Sequence, residues 1–281
     1  DKTHVIYEDH IIQGADANTF REAAPDSNYY VDTNSVFYID RRLDDVAAEH
    51  FEVLISAQGN SGYGVERKGI DNRVFFYGKL IEGADGASFQ FTSNNQSLYV
   101  QDNNAVYYLD KVVPGAQPEC FHAYPDFGEY GLNICDNALA VFYRGKPLNG
   151  ANPKSFKLVD SDHKLFRDED KAYIEGKEVF KGLDIGSIKM MDDNYIVDKN
   201  GAYIANTKTT VLIENADPKT FKTLGKGYAK DKNHVYHYNY SANAKVIKGA
   251  DPKTFVVTRF NENVEYDAKD AQHQYRWGRR H

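Results

Sequence analysis

Residues 228–255, YAKDKNHVYHYNYSANAKVIKGADPKTF, decide how the whole chain folds. Tyr228 to Asp231 and His234 to Tyr238 alternate as strands do, and Asp231, Lys232 and Asn233 between them supply turn chemistry. An Asp carboxylate accepts the backbone N–H two residues on and Asn tolerates the left-handed region, so the segment predicts a hairpin. Lys245 to Gly249 reads as a third strand. Asp251 and Pro252 then resemble a helix start, with Asp as N-cap and Pro at the first helical position. Thr254 and Phe255 complete a single turn that throws the Phe ring inward as a core plug. Such a unit is too small to bury its own apolar face, so neighbours must stack.

Both phrases recur along the chain. GADANTF (Gly14 to Phe20), GADGASF (Gly83 to Phe89), GAQPECF (Gly115 to Phe121), GANPKSF (Gly150 to Phe156) and NADPKTF (Asn215 to Phe221) echo the GADPKTF ending at Phe255. Worn copies end at Phe51 (DDVAAEHF) and Ile188 (GLDIGSI), and the mean separation of the terminal apolar residues is about 34. Asp-led turns alternate with them, as DKTHVIY from Asp1, DTNSVFY from Asp32 and DNNAVYY from Asp102, with weaker copies at Asp71, Asp136, Asp168, Asp198 and Asp270. The expected fold is all-β: a tandem array of about eight ~34-residue three-stranded β units with one helical turn each, in a single repeat domain over 1–281. The units run roughly 1–31, 32–70, 71–101, 102–135, 136–167, 168–197, 198–230 and 231–269, with a partial unit at 270–281. An open curved stack is favoured, with β-propeller-like closure as the alternative, because ~34 residues is short for a four-stranded blade of ~40–45.

DKNHVYHY, DKTHVIY and GADPKTF together resemble the repeat of the bacterial DKNYY family, over essentially the whole chain. The resemblance implies a repeat protein with no assigned catalytic residue to carry over. Members of such families look like secreted or envelope-associated bacterial proteins, and some sit beside toxins as candidate immunity proteins. The chain departs from the pattern at Asp71, Asp136 and Asp270, where the turn reads DNR, DNA and DAQ, and around Gly182 to Ile188.

Charge and composition narrow the function. With 34 Lys+Arg against 41 Asp+Glu the net charge is −7, which disfavours a nucleic-acid partner. No stretch approaches ~18 consecutive apolar residues, so no transmembrane span is expected. The periplasm or cell envelope is the expected location, through an export signal absent from this sequence, with the cytoplasm as alternative. Tyr 21 and Phe 16 against Met 2 suit strands.

Catalytic signatures are missing. GNSGYG (Gly59 to Gly64) lacks the strand-to-helix setting of a nucleophile elbow, and there is no H-E-x-x-H, phosphate-binding glycine loop or paired C-x-x-C. A non-enzyme with no cofactor and no metal is therefore expected. His234 and His237, three apart in a strand, fall on opposite faces, and the acidic run Asp168 to Lys171 sits where a hairpin turn belongs. The recurrent Asp1, Asp32, Asp102, Asp198 and Asp231 read as turn caps, because a catalytic group would be needed once. Tyr107, Tyr108, Tyr236 and Tyr238 alternate across the sheet, which offers either core pairing or an outward aromatic row for protein or sugar contact.

Irregularities mark the candidate contact residues. Phe51 to Asp71 takes 20 residues where Phe20 to Asp32 takes 12, and the excess in SAQGNSGYGVERKG (Ser56 to Gly69) is expected as a protruding loop bearing Tyr63, Arg67 and Lys68. QYRWGRRH (Gln274 to His281) concentrates cations beside the only indole, and Arg276 and Trp277 complete the partner-binding set. Cys120 and Cys135 would close a disulfide loop in an oxidising compartment, while two separate buried thiols explain the same residues. The expected function is non-enzymatic binding of a protein partner, in its sharpest form an immunity protein that occludes a secreted toxin. The alternative is a cell-envelope glycan-binding or scaffold module.

Overall fold

A computed structural model describes residues 3–56, 59–68, 71–92, 97–124, 129–134, 139–179, 182–192, 194–205, 210–239, 243–258 and 266–281. The chain is all-β. A two-stranded hairpin, Ile6–Tyr7 with His10–Ile11, precedes eight four-stranded antiparallel sheets spanning 21–43, 51–80, 90–112, 121–147, 157–179, 189–212, 222–246 and 256–280. They are numbered sheets 1 to 8 here. Each is an open meander in sequence order, and none closes into a barrel. The chain divides into two compact units, Asp1–Pro153 with the hairpin and sheets 1 to 4, and Lys154–His281 with sheets 5 to 8. No helix is long and apolar enough to cross a membrane.

Sheet 7 shows how the deciding stretch folds. Its strands are Lys222–Gly225, Tyr228–Lys230, Val235–His237 and Lys245–Val246, paired Lys222 with Lys230, Tyr228 with His237 and Tyr236 with Val246. The hairpin and the Lys245 strand are those expected from the sequence. The sheet also gains one strand beyond the three expected, Lys222–Gly225, because the residues after the plug Phe221 turn straight back onto Tyr228–Lys230. That strand is short, mostly half-exposed and ends in the glycines of LGKG, so it carries no alternating signature. Each sheet thus begins at or just after a plug residue instead of at a turn Asp.

A turn Asp anchors sheets 1, 3, 5, 6, 7 and 8. Asp231 is 4% exposed; its Oδ1 accepts the N–H groups of Asn233 and His234, both at 2.7 Å, and its Oδ2 accepts the N–H of Asp217 at 2.8 Å and the hydroxyl of Tyr236 at 2.8 Å. Asp102 repeats this set with Asn104, Ala105, Asp85 and Tyr107, and Asp270 with Gln272, His273, Asp251 and Tyr275. Asp270 therefore conforms to the pattern that its DAQ spelling obscured. Asp168, in the acidic run, is held by Asp170 and Lys171 N–H groups and the Tyr173 hydroxyl, which makes it a turn residue.

The plug phrase closes on the same carboxylate. Asp251 caps its own turn through Lys253 N–H and the Thr254 hydroxyl, and Phe255 N–H reaches back to the Asp251 carbonyl at 3.0 Å, a single helical turn. Thr254 Oγ1 in turn accepts the N–H of Ala271. In three units the turn is a 3₁₀ turn, Ala48–His50, Pro118–Cys120 and Ile185–Ser187. The plug rings pack as expected: Phe89, Phe121 and Phe255 are at most 3% exposed, and Phe255 lies 5.2 Å from Tyr275, ring to ring.

A second tyrosine, three residues before Asp32, Asp102, Asp198 and Asp231, ties one sheet to the next. Tyr29 donates its hydroxyl to Gly62 O at 3.0 Å and accepts Gly78 N–H at 2.9 Å; Tyr99 does the same with Glu129 O and Gly145 N–H. In the second unit Tyr195 donates to Gly227 O, and Tyr228 donates to Asp267 while accepting Gly278 N–H. Tyr107, Tyr236 and Tyr238 are buried and Tyr108 is half-buried, so an outward row of these rings is not what the chain builds. Turn and strand periodicity aim them at their neighbours in the stack.

Candidate functional site

The repeat is broken at sheet 2. Tyr63 is followed three residues later by Glu66 where Tyr29 is followed by Asp32, and Glu66 takes over the anchoring task. It is 2% exposed, its Oε1 accepts Ala47 N–H at 3.0 Å as Asp32 accepts Asp16 N–H, and its Oε2 faces Arg73 Nε at 3.2 Å. Arg73 also donates to Asp44 O. Asp71 is exposed and among the described residues anchors nothing, so the weak motif copy assigned there moves to Glu66. The extra length divides between a longer hairpin, Phe51–Ser56 with Gly59–Glu66, and a longer turn before Val74–Phe76.

That arrangement corrects the expected protruding loop. Most of it is strand, and glycines 62 and 64 serve close approach: a Cβ at Gly64 would meet the Phe51 ring at 2.3 Å. Tyr63 is 3% exposed and donates its hydroxyl to Leu109 O at 2.8 Å, which makes it a core residue and not a contact residue. Arg67 is committed too: it pairs with Glu52 and donates to the carbonyls of Gly86 at 2.7 Å and Phe89 at 2.9 Å, clamping the next plug phrase. Gly86 replaces the Pro of GADPKTF because a Cβ there would stand 2.5 Å from the backbone oxygens of Glu66 and Asn72. Of the three residues expected to bind from this segment, Lys68 alone is exposed.

Lys68 borders a cavity of about 590 Å³ lined by Asp45, Glu49, His50, Asp71 and Arg73, with Glu66 among its walls. Four carboxylates meet two permanent cations there. His50 Nδ1 and Asn72 Oδ1 are buried without a hydrogen-bond partner among the described residues. Asp45 and His50 lie in the worn plug copy DDVAAEHF and Asn72 in the DNR turn, where they read as repeat positions and not as contact residues; the spacing from Phe51 to Asp71 was the one signal that pointed to the region.

Arg276 and Trp277 lie elsewhere, in the compact unit 154–281, on the last hairpin of sheet 8. Trp277 is 63% exposed at the turn, with φ +50°, and its N–H is held by the Asp267 carboxylate at 3.0 Å. A second cavity of about 370 Å³ is lined by Asn239, Arg276, Trp277, Arg279, Arg280 and His281. Cys120 ends its 3₁₀ turn, and Cys135, its partner in the disulfide alternative, lies outside the described residues, as does Asp136. His237 is buried against Tyr228, ring centroids 4.5 Å apart, while His234 sits 4.0 Å from Asp231 Oδ1. Among the described residues no group of three or more His, Cys, Asp or Glu side chains is placed to hold a metal ion.

The DKNYY family model matches residues 69–138 and 207–279, just over half of the chain. No curated protein and no solved structure matches. The matched stretches contain the Asp–Tyr anchors of Asp102 and of Asp231 and Asp270, and the chain belongs to the DKNYY family.

Proposed function

We propose that the chain is a non-enzymatic, protein-binding repeat protein whose contact site is the charged cavity at sheet 2, and in its sharpest form an immunity protein that occludes a secreted toxin. One observation carries this reading. The regular turns are closed on themselves by a buried Asp, whereas at Glu66 the chain uses a longer turn and leaves an open cavity with Lys68 and Asp71 exposed at it. Asp45, Glu49, Glu66 and Asp71 outnumber Lys68 and Arg73, which favours a basic side chain from the partner, and a net charge of −7 would draw a basic protein at long range. The same reading puts the chain in the periplasm or at the cell envelope.

The test is affinity capture from the source cells' lysate and envelope fraction with the native chain beside an Asp45→Lys/Asp71→Lys double variant. A stoichiometric basic protein held by the native chain and lost with the variant supports the reading, and its toxicity when expressed alone would support immunity. Equal capture by both forms, or capture by neither, would sink it.

A further inference from the structure

We infer that the cavity on the last hairpin of sheet 8 binds a saccharide bearing acidic groups, a role independent of the protein-binding reading. The cross-strand pairs show why this hairpin is unlike the others. At the corresponding pair of five sheets the basic residue of the fourth strand faces an aromatic or aliphatic side chain, Tyr38 with Arg41, Phe76 with Lys79, Tyr108 with Lys111, Tyr143 with Lys146 and Ile174 with Lys177, while sheet 6 pairs Ala205 with Thr210 and sheet 7 pairs the buried His237 with Lys245. In sheet 8 it is Arg276 opposite Arg279, two cations directly across one turn. Like charges so placed are destabilising unless something neutralises them. Arg276, Arg279 and Arg280 are exposed, and among the described residues no carboxylate lies within ion-pair distance of any of them. The Asp267 carboxylate, just before the paired strand Ala268–Lys269, is engaged by the Tyr228 hydroxyl and the Trp277 N–H.

Those bonds fix the turn that presents Trp277. The result is an exposed indole on a backbone-anchored turn, bordered by three guanidinium groups around about 370 Å³ of space. A guanidinium fork grips carboxylate or phosphate with two parallel hydrogen bonds, and an indole face covers the apolar face of a ring at little entropic cost. A sugar ring carrying a carboxylate satisfies both, whereas a free anion uses the arginines alone.

Trp277 is the only tryptophan of the chain, so its fluorescence reports this site and no other. The native protein is titrated with a hexuronate tetrasaccharide, the same tetrasaccharide with its carboxyls reduced to alcohols, and inorganic phosphate. Expected are a saturable emission change with the acidic sugar, and affinity lower by about tenfold or more for the reduced sugar and for phosphate. Arg276→Gln and Arg279→Gln should each weaken the acidic sugar by about tenfold, with melting temperatures unchanged or raised as the like-charge contact between them is relieved. Calorimetry on Trp277→Ala should show the sugar lost. No saturable response, equal response to the reduced sugar, or equal affinity for phosphate would each overturn the inference.

Discussion

A carboxylate as buried as that of Asp231 persists in a fold only when donors replace the water it has lost, and the DKN turn supplies them from its own backbone. Burial pushes the Asp231 carboxyl up, and the N–H groups of Asp217, Asn233 and His234 with the Tyr236 hydroxyl outweigh it, so it stays ionised below the ordinary range. Asp270 is lowered by the same balance. A carboxyl lowered by folding stabilises the native state above its unfolded value, ~3.9, and that contribution disappears as pH falls through the folded value. Stability measured by denaturant midpoint should therefore hold from neutral pH to about 5 and fall below about 4. Tyr236 and Tyr275 are raised by burial and by their Asp acceptors, so alkali should also unfold the chain once the unfolded phenols ionise above ~10. Asp231→Ala strands four donors and should cost about 3 kcal/mol, and Tyr236→Phe, which removes one, about 1.5 kcal/mol. A denaturation series on the two variants reads the difference, and equal losses would contradict the assigned hydrogen bonds.

At the scale of the element, a short strand gains its stability from what its turn and plug contribute. Sheet 2 shows one device in detail. Gly78 has φ +70° at the hairpin turn, its N–H meets the Tyr29 hydroxyl, and a Cβ there would stand 2.4 Å from the Tyr38 ring. Gly78→Ala should lower stability by about 2 kcal/mol, from left-handed backbone strain together with the displaced ring, whereas Ala at Gly83, also left-handed but with open space around it, should show the backbone part alone. Thermal melting of the pair separates the two effects. Phe255→Ala removes a ring packed with Tyr228, Val235, Ile247 and Tyr275, for which about 3–5 kcal/mol is expected. The hairpin and third strand of these elements were legible in the sequence because Asp-Lys-Asn has one local outcome. The first strand was not, since residues such as Arg21–Glu22 or Val256–Val257 are too few to show alternation and their pairing is set by the neighbouring strand.

Across the molecule, stability is passed between adjacent sheets within each compact unit by plug rings and tyrosine ties. Phe121 packs with Tyr99, Val106, Val113 and Phe142, residues of sheets 3 and 4. Phe121→Ala should thus remove hydrogen-exchange protection from sheets 3 and 4 and leave sheets 7 and 8 protected; a uniform loss would contradict nearest-neighbour stacking. The order of residues by itself determined the all-β class, the period of about 34, the turn Asp, the inward Phe and the family, because each depends on contacts within a few residues or on their repetition. Tertiary structure alone decided that Glu66 stands in for an Asp, that Tyr63 and Arg67 are structural, and that cavities form beside Lys68 and Trp277. Those outcomes rest on distance across sheets: a longer acid can anchor a turn only where Ala47 and Arg73 come within reach, and a side chain's exposure is fixed by neighbours far away in sequence.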